Sequence, residues 1–445
     1  MNKMNDTRIP RLIAALSILW ACAACGEDGG GGGGGGGEGD VGEDVAAGDV
    51  GVDVAQSDSG EDSGGGDGGG GDAAVDVDAG PCTGAWSVVQ TLDNPMPGAK
   101  DFGVSLAADG DRLVVGSTGE NARGVVFVYA RGGSGWTLEQ TIEPEPPAAE
   151  QTLFGQSVGL RDGVLVVGAP LGDRGSLHIY EEGGGGFAFA ARVLPPEGPM
   201  FAGLGASVGF VGDLVLGGAP RQSATGTNAG AIYGYTREGG AWSDPIAVAI
   251  SPTAGLRIGQ SLASLDDQVF APMDRAVLVY GVTPEGDRGQ LGSFENPATS
   301  TTDDFGTSVV AGDGEIIVGA PGSNWAERHG SVLVFRPGGR QGWERVQRLE
   351  ADDKREQDAF GYALALEGDL LAVGASVPFG MEGVQALYLF ERGDDESWSQ
   401  LARVADPVEG GAFGQAVALS GRTVLVSDGS HDDRAGAVYV VECRD

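Results

Sequence analysis

Residues 304–321, D-F-G-T-S-V-V-A-G-D-G-E-I-I-V-G-A-P, decide the fold because the same pattern recurs along the chain. Each copy has an F-G or a variant of it, a short apolar run, a Gly/Asp turn and a second apolar run. The seven copies begin at Asp101, Leu153, Gly203, Arg257, Asp304, Ala359 and Ala412. They are about 50 residues apart, and the copy at Arg257 is two residues shorter. Self-similarity at this period indicates an array of repeated structural units.

Each unit predicts four short strands. The apolar runs on both sides of the tight turn predict the first two, and alternating segments such as residues 124–130 predict a third. An aromatic residue after a glycine-rich turn opens the fourth. These residues are Trp136, Phe187, Trp242, Trp343 and Trp398, with Phe294 interpreted as the equivalent in the fourth unit. The fold class is therefore all-β, a seven-bladed β-propeller of four-stranded blades.

The two ends of the array predict how the ring closes. The last unit stops after its third strand, residues 437–441, and residues 86–92 form an extra fourth strand before the first unit. The N-terminal strand should therefore complete the seventh blade. This closure brings Cys82 and Cys443 together, and an oxidising compartment would allow a disulfide between them. Two unpaired cysteines are the alternative.

The pattern F-G-x-S-V, G-D-x-L-x-V-G-A-P and G-x-V-x-V-[YF] resembles the FG-GAP repeat of integrin α-subunit-like propellers, over residues 86–443. The resemblance implies an adhesion or recognition module. Many members carry D-x-D-x-D-G calcium loops between the first two strands of a blade. Here those positions hold two- or three-residue turns, such as D-G-D at Asp109, which cannot supply six oxygen ligands. We expect no metal site and no cofactor.

Residues 1–25 predict a bacterial lipoprotein signal peptide. Lys3, Arg8 and Arg11 precede a ten-residue apolar run, which is too short to span a membrane. Small residues precede Cys25, which we interpret as the lipidated residue, with Cys22 as the alternative. An ordinary secretory signal, removed with both cysteines, is a further alternative.

Residues 26–80 predict a disordered, Gly/Asp-rich linker. The segment holds 15 acidic residues and no basic or aromatic residue. It cannot bury enough apolar surface to offset its conformational entropy. The predicted organisation is thus a signal peptide (1–25), an acidic linker (26–80) and a propeller (81–445). The linker would hold the propeller away from a membrane.

Composition limits the partners. The net charge of −37 repels nucleic acid phosphates and anionic headgroups. We therefore expect no nucleic acid partner, and contact with a membrane only through the lipid anchor.

Three features imitate catalytic motifs. D-F-G occurs without the catalytic loop of a protein kinase, and G-x-S-x-G at Ser157 and Ser207 lacks the strand–turn–helix context of a nucleophile elbow. His178, His329 and His431 show no zinc-binding spacing. Carboxylates are plentiful, but no spacing favours one pair. We expect that the protein is not an enzyme; a polysaccharide-processing hydrolase or lyase is an alternative, and a non-catalytic envelope scaffold is another.

The long loops predict a binding face. Loops between second and third strands, and between successive blades, share one face of a propeller, and functional residues concentrate on such loops. The candidate residues are Trp325, His329, Phe379, Met381 and His431. We expect a monomer that binds an extracellular or envelope protein or glycan. Its expected location is the bacterial cell envelope, lipid-anchored in the outer membrane, with display on the cell surface as an open question.

Overall fold

The computed structural model describes residues 82, 84–96, 100–119, 123–147, 151–196, 202–223, 226–251, 253–273, 275–282, 288–296, 304–322, 329–339, 342–353, 358–377, 385–408 and 411–444. The chain divides into two units, and all described residues belong to the one that contains Pro81–Asp445. The predicted signal peptide and linker, with Cys22 and Cys25, lie outside the described residues.

Seven four-stranded antiparallel sheets form the blades of a propeller. The first strand of the chain is β1 (Ala85–Asp93). Blade 1 consists of β2 (Phe102–Asp109), β3 (Arg112–Ser117), β4 (Val125–Gly132) and β5 (Gly135–Ile142). Blade 2 consists of β6 (Ser157–Arg161), β7 (Val164–Ala169), β8 (Ser176–Gly183) and β9 (Gly186–Val193). Blade 3 consists of β10 (Ser207–Val211), β11 (Leu214–Ala219), β12 (Ala231–Tyr235) and β15 (Ile246–Ile250), with a two-stranded ribbon of β13 (Arg237–Glu238) and β14 (Ala241–Trp242) before its last strand.

The remaining four blades follow in chain order. Blade 4 consists of β16 (Ala263–Leu265), β17 (Gln268–Met273), β18 (Ala276–Val282) and β19 (Arg288–Glu295). Blade 5 consists of β20 (Val309–Gly312), β21 (Glu315–Ala320), β22 (Ser331–Pro337) and β23 (Trp343–Leu349). Blade 6 consists of β24 (Phe360–Glu367), β25 (Leu370–Ala375), β26 (Ala386–Arg392) and β27 (Trp398–Ala405). Blade 7 contains β28 (Phe413–Ser420), β29 (Thr423–Asp428) and β30 (Ala437–Arg444), with the short helix α1 (His431–Arg434) before β30.

The N-terminal strand completes blade 7, as predicted. The sheet order is β1-β30-β29-β28, and β1 pairs along its length with β30, from Ala85 opposite Arg444 to Asp93 opposite Ala437. Cys82 and Cys443 form a disulfide with a Cα–Cα distance of 5.9 Å. The predicted disulfide is confirmed, and it joins the two ends of the chain that close the ring.

The first strands of the blades surround the axis. Each first strand contacts the first strand of the next blade, and β28 of blade 7 contacts β2 of blade 1. The first strand of each blade begins after the loop from the previous blade and ends at the tight turn. The first strands therefore all run in the same direction along the axis, and this places equivalent residues in rings.

A pair of glycines explains the repeated motif. The glycine of F-G has φ between 86° and 94° in all seven blades, a region that side chains disfavour. The glycine of G-A-P faces the F-G glycine of the next blade: a Cβ at Gly168 would lie closer than 3.0 Å to the carbonyl oxygen of Gly205. Gly116, Gly218, Gly319 and Gly374 make the same approach to the next blade. The motif thus marks a close backbone contact between neighbouring blades.

Apolar clusters fill the seams between blades. One cluster joins Ile317 and Val332 of blade 5 to Leu371, Tyr388 and Trp398 of blade 6. Phenylalanines of the F-G motif are fully buried in four blades: Phe102, Phe154, Phe360 and Phe413. Burying such a side chain contributes roughly 1.5–3 kcal/mol relative to leaving it exposed. The ring is therefore stabilised mainly by blade-to-blade packing.

One of the predicted strand-opening aromatics, Phe294, occupies another position. Phe294 lies opposite Val277 near the end of β19, where blade 5 has Leu349 opposite Val332. The prediction for Phe294 was wrong because the opening position of the fourth strand, which Trp343 holds opposite Pro337 in blade 5, is held in blade 4 by Arg288 opposite Val282. Trp242 lies opposite Arg237 in the β13–β14 ribbon, as Trp136 lies opposite Arg131 in blade 1, so the prediction for Trp242 is confirmed.

Candidate binding face

The propeller has two unlike faces. The loops from second to third strands, and those from fourth strands to the next blade, lie on one face, which we call the long-loop face. The turns from first to second strands lie on the opposite face, together with the connections from third to fourth strands. This is the tight-turn face. In blade 1 only Gly110 and Asp111 separate β2 from β3, whereas seven residues separate β3 from β4.

The chain enters the propeller on the tight-turn face. β1 is a fourth strand, so it begins on this face, where Ala85 pairs with Arg444. The Cys82–Cys443 disulfide lies close to this pair, since Cys443 directly precedes Arg444 and Cys82 lies three residues before Ala85. Any segment that precedes Cys82 is therefore attached to the face opposite the long loops.

Main-chain hydrogen bonds hold the bases of the long loops. The Phe154 N–H donates to the Arg123 carbonyl at 3.3 Å, and the Ile258 N–H donates to the Ala229 carbonyl at 3.3 Å. At the ring closure the Phe102 N–H donates to the Ala435 carbonyl at 3.2 Å. These bonds join neighbouring blades and involve no side chain. The side chains of the loops can therefore vary without loss of the scaffold.

The predicted binding residues are only partly covered by the structure. Trp325, Phe379 and Met381 lie outside the described residues. His329 directly precedes Gly330, which bridges to Phe360 of the next blade. His431 is the first residue of α1, in the second-to-third-strand loop of blade 7. Both histidines thus belong to the long-loop face. His329 lies near the contact between blades 5 and 6, and His431 lies where blade 7 meets blade 1.

His431 lies in a well-packed cluster of blade 7. Its Nδ1 is 3.2 Å from the Tyr439 hydroxyl, and the two rings meet edge to face. Asp428 is fully buried, and its Oδ1 accepts hydrogen bonds from the N–H groups of Ala412 (2.6 Å) and Ser430 (3.0 Å). Burial, with smaller contributions from Asp428, Asp406 and Asp93, raises the pKa of Tyr439 to about 12. The cluster fixes the short helix on the long-loop face.

The Asp406 carboxylate adds to the acidic character of this cluster. Burial raises the pKa of Asp406, and the nearby charge of Asp428 acts in the same direction. Hydrogen bonds from the N–H groups of Val408 and Gly411 oppose this increase, because they stabilise the ionised form. Asp406 and Asp428 thus order the loop between blades 6 and 7.

Serines of the F-G-x-S motif join neighbouring blades. The Ser157 hydroxyl donates to the Gly205 carbonyl at 2.8 Å, and the Ser207 hydroxyl donates to the Gly259 carbonyl at 2.9 Å. The same bond is made by Ser105, Ser261 and Ser308. Ser157 and Ser207, which match G-x-S-x-G, are therefore engaged in the contact between blades, and each begins a first strand.

His178 lies inside blade 2. It is buried against Phe154, and its Nε2 is 3.2 Å from the Ser176 hydroxyl. Burial, aided by the charge of Arg192, lowers the pKa of His178 to about 4. The imidazole of His178 is thus neutral at physiological pH and packs against Phe154.

Carboxylates of the tight turns cap the turns of neighbouring blades. The Asp109 carboxylate accepts a hydrogen bond from the Asp162 N–H at 2.8 Å. Glu367 accepts from the Gly421 N–H through both oxygens at 3.0 Å. Among the described residues, no group of three or more His, Cys, Asp or Glu side chains has a geometry suited to a metal ion. Within the same ranges, no helix has the length and hydrophobicity needed to cross a membrane.

Sequence reasoning missed a set of glutamines on the outer strands. Gln140 donates to the Phe187 carbonyl at 2.8 Å and accepts from the Phe187 N–H at 2.8 Å. Gln90 forms the same pair of bonds with Trp136, and Gln347 forms it with Trp398. The signal was present in the sequence, because Q-T-L, Q-T-I and Q-R-L occur at the same place in three units.

A family comparison agrees with this geometry. The FG-GAP repeat family model matches residues 343–390 and 398–441. The propeller carries FG-GAP repeats. Each match begins with the fourth strand of one blade and ends in the third strand of the next, which is the same offset that closes the ring. No curated protein matches the chain.

Proposed function

We propose that the protein is a lipid-anchored recognition or adhesion module of the bacterial cell envelope. Its FG-GAP propeller would bind a protein or a glycan through the long-loop face. Cys25, with Cys22 as the alternative, would carry the lipid, and residues 26–80 would act as the linker. FG-GAP propellers are protein-interaction and adhesion modules, and this is the general basis of the proposal.

The observation that carries the proposal is the attachment point of the propeller. The chain enters beside Cys82 on the tight-turn face, and the long loops lie on the opposite face. A linker attached at one face leaves the opposite face accessible to a partner. The long-loop face is therefore the face that we propose for binding.

The scaffold supports the same conclusion. Main-chain bonds, serine bridges and paired glycines hold the blades together near the axis. A rigid ring of this kind presents loop residues with a small entropic cost of ordering on binding. The side chains most suited to anchor a partner are the large apolar ones in the loops, Trp325, Phe379 and Met381.

The test uses the full chain, released from its membrane and labelled at the N-terminus. Its binding to intact cells and to envelope fractions is measured by flow cytometry and sedimentation. Trp325→Ala and Phe379→Ala should each weaken binding at least tenfold. The matched control is Leu291→Ala, since Leu291 is 63% exposed on the outer strand of blade 4, away from the long loops. Unchanged binding in both loop variants, or equal loss in the control, would contradict the proposed face.

The location is tested separately by protease treatment of intact cells. Release of an intact head would support display on the surface, because an acidic glycine-rich linker is easily cleaved. Protection of the head until the outer envelope is broken would contradict surface adhesion. It would favour the alternatives of an envelope scaffold or a polysaccharide-processing role.

A further inference from the structure

The long-loop end of the axial channel carries a ring of uncharged side chains. In every blade one residue follows the F-G glycine and stands at the start of the innermost strand. These seven residues, which we call the mouth ring, are Val104, Gln156, Ala206, Gln260, Thr307, Tyr362 and Gln415. Because the first strands contact one another in sequence around the axis, the seven positions encircle one end of the channel. None of them is charged at neutral pH, although the protein has a net charge of −37.

Four of these side chains have unused hydrogen-bonding capacity. Within the described ranges, no protein atom forms a hydrogen bond with the side chains of Gln156, Gln260, Tyr362 or Gln415. Gln156, Tyr362 and Gln415 are nevertheless half-buried. By contrast, Gln90, Gln140 and Gln347 on the outer strands each make two hydrogen bonds to a neighbouring blade. The glutamines at the mouth are therefore not needed for the contacts between blades.

The backbone holds the mouth ring rigidly. Gln156 lies between Gly155, whose φ is 86°, and Ser157, whose hydroxyl is bonded to the Gly205 carbonyl. Gln260 lies in the same way between Gly259 and Ser261, whose hydroxyl is bonded to the Gly306 carbonyl. Polar groups on such a fixed frame bind a ligand with less loss of entropy than groups on a free loop.

The chemistry of the ring matches a hydroxyl-rich, uncharged ligand. A carboxamide has two N–H donors and one oxygen acceptor, and a phenol both donates and accepts, so each can pair with sugar hydroxyls. Burial raises the pKa of Tyr362, so its hydroxyl is protonated at neutral pH and can donate a hydrogen bond. Its aromatic ring offers an apolar surface beside the polar groups. An anionic ligand would meet no cation in the ring and would be repelled by the acidic protein.

We propose that the mouth ring is a binding subsite for a neutral glycan, with Gln156, Gln260, Tyr362 and Gln415 as the residues that contact its hydroxyls. This inference rests on the proposed recognition function and names the class of ligand that the long-loop face takes. The ligand would approach along the axis from the long-loop face, opposite the chain's attachment point.

The experiment measures binding of neutral oligosaccharides to the purified full chain by titration calorimetry and ligand-observed NMR. The probes are maltohexaose, cellohexaose, xylohexaose and N-acetylchitohexaose, with oligogalacturonate as the anionic comparison. We expect saturable binding of at least one neutral probe and weaker or no binding of oligogalacturonate. Tyr362→Phe, which removes only the hydroxyl, and Gln156→Leu should each weaken that binding about tenfold.

The matched control is Gln290→Leu, since Gln290 is an exposed glutamine on the outer strand β19, far from the axis. It should change binding less than twofold, and all three variants should keep the urea midpoint of the parent protein. Absence of saturable binding to every neutral probe would overturn the inference, as would preference for oligogalacturonate or equal effects of all three variants. The proposed function would survive any of these results if Trp325→Ala and Phe379→Ala still abolish binding to cells.

Discussion

The contact between the G-A-P glycine of one blade and the F-G glycine of the next predicts that one added methyl group will strongly destabilise the propeller. In Gly168→Ala, the new Cβ would lie closer than 3.0 Å to both the Gly205 carbonyl oxygen and the Ser157 hydroxyl. Overpacking of this kind costs about 1–3 kcal/mol. Displacement of the Ser157 bond to Gly205 costs about 0.5–1.5 kcal/mol more. The expected loss in the free energy of unfolding is therefore about 3 kcal/mol.

Gly133→Ala is the control for this prediction. A Cβ at Gly133 meets nothing within 4 Å, and neither glycine has a positive φ, so the two substitutions differ mainly in steric contact. Urea unfolding followed by tryptophan fluorescence should show a change of about 0.5 kcal/mol or less for Gly133→Ala. Equal effects of the two substitutions would refute the reasoning. Full recovery of Gly168→Ala by Ser157→Ala would also refute it, because the overlap with the carbonyl would then be unimportant.

Three further predictions concern the contributions of the disulfide, His178 and Glu315 to stability. Cys443→Ser should lower the free energy of unfolding by about 4 kcal/mol, because the Cys82–Cys443 disulfide closes a loop of 361 residues. Equal melting temperatures of the oxidised and the reduced parent protein would contradict this prediction. Burial lowers the pKa of His178 to about 4, below its unfolded value near 6.5, so stability should be fully present above pH 6.5 and decrease by about 3 kcal/mol as the pH falls to 4. In His178→Phe, the free energy of unfolding measured with urea should depend less on pH between about 6.5 and 4. An unchanged slope in that range would be evidence against the role of His178. Glu315→Ala should cost about 3 kcal/mol, because Glu315 is buried and accepts hydrogen bonds from Arg336 and from Trp398 Nε1. Glu139→Ala, which removes an exposed ion pair with Arg112, should cost less than about 1 kcal/mol in the same assay.

The number of blades and the closure of the ring were predictable because repeats in phase carry this information. An unmatched fourth strand at residues 86–92 and a missing one after residue 441 allow only one closure, and the disulfide followed from it. The register of individual residues within a blade was harder to predict from the sequence. The opening position of the fourth strand in blade 4 holds Arg288, and Phe294 lies near the end of that strand, because pairing between strands decides such positions.

The candidate site was predictable only as a face. The lengths of the loops identify the face that carries them, since alternate connections of a propeller share a side. The mouth ring was hidden because its seven positions hold five different residue types between the invariant glycine and the serine or alanine of the motif. The residue at this position is free to vary because the glycine and the serine on either side of it make the contacts between blades. Its chemistry becomes visible only when the ring places the seven copies around one axis.

The two glycines of the motif are not equally necessary, and the exceptions show why. The F-G glycine is present in all seven blades, whereas the G-A-P position, 13 residues later, holds Pro272 in blade 4 and Ser427 in blade 7. The prediction that the fourth copy is two residues shorter was therefore wrong, since β16 and β17 pair across a turn of the same length as in blade 1. At those two seams the side chain of the earlier blade faces the F-G glycine of the next: a Cβ at Gly306 would meet Pro272 Cβ at 2.5 Å, and one at Gly103 would meet Ser427 Cβ at 2.7 Å. A side chain is therefore tolerated on one side of the contact only, because the F-G residue must also adopt φ near 90°. The F-G glycine has two physical reasons to be glycine and the G-A-P glycine has one, which explains why only the G-A-P position departs from glycine in this chain.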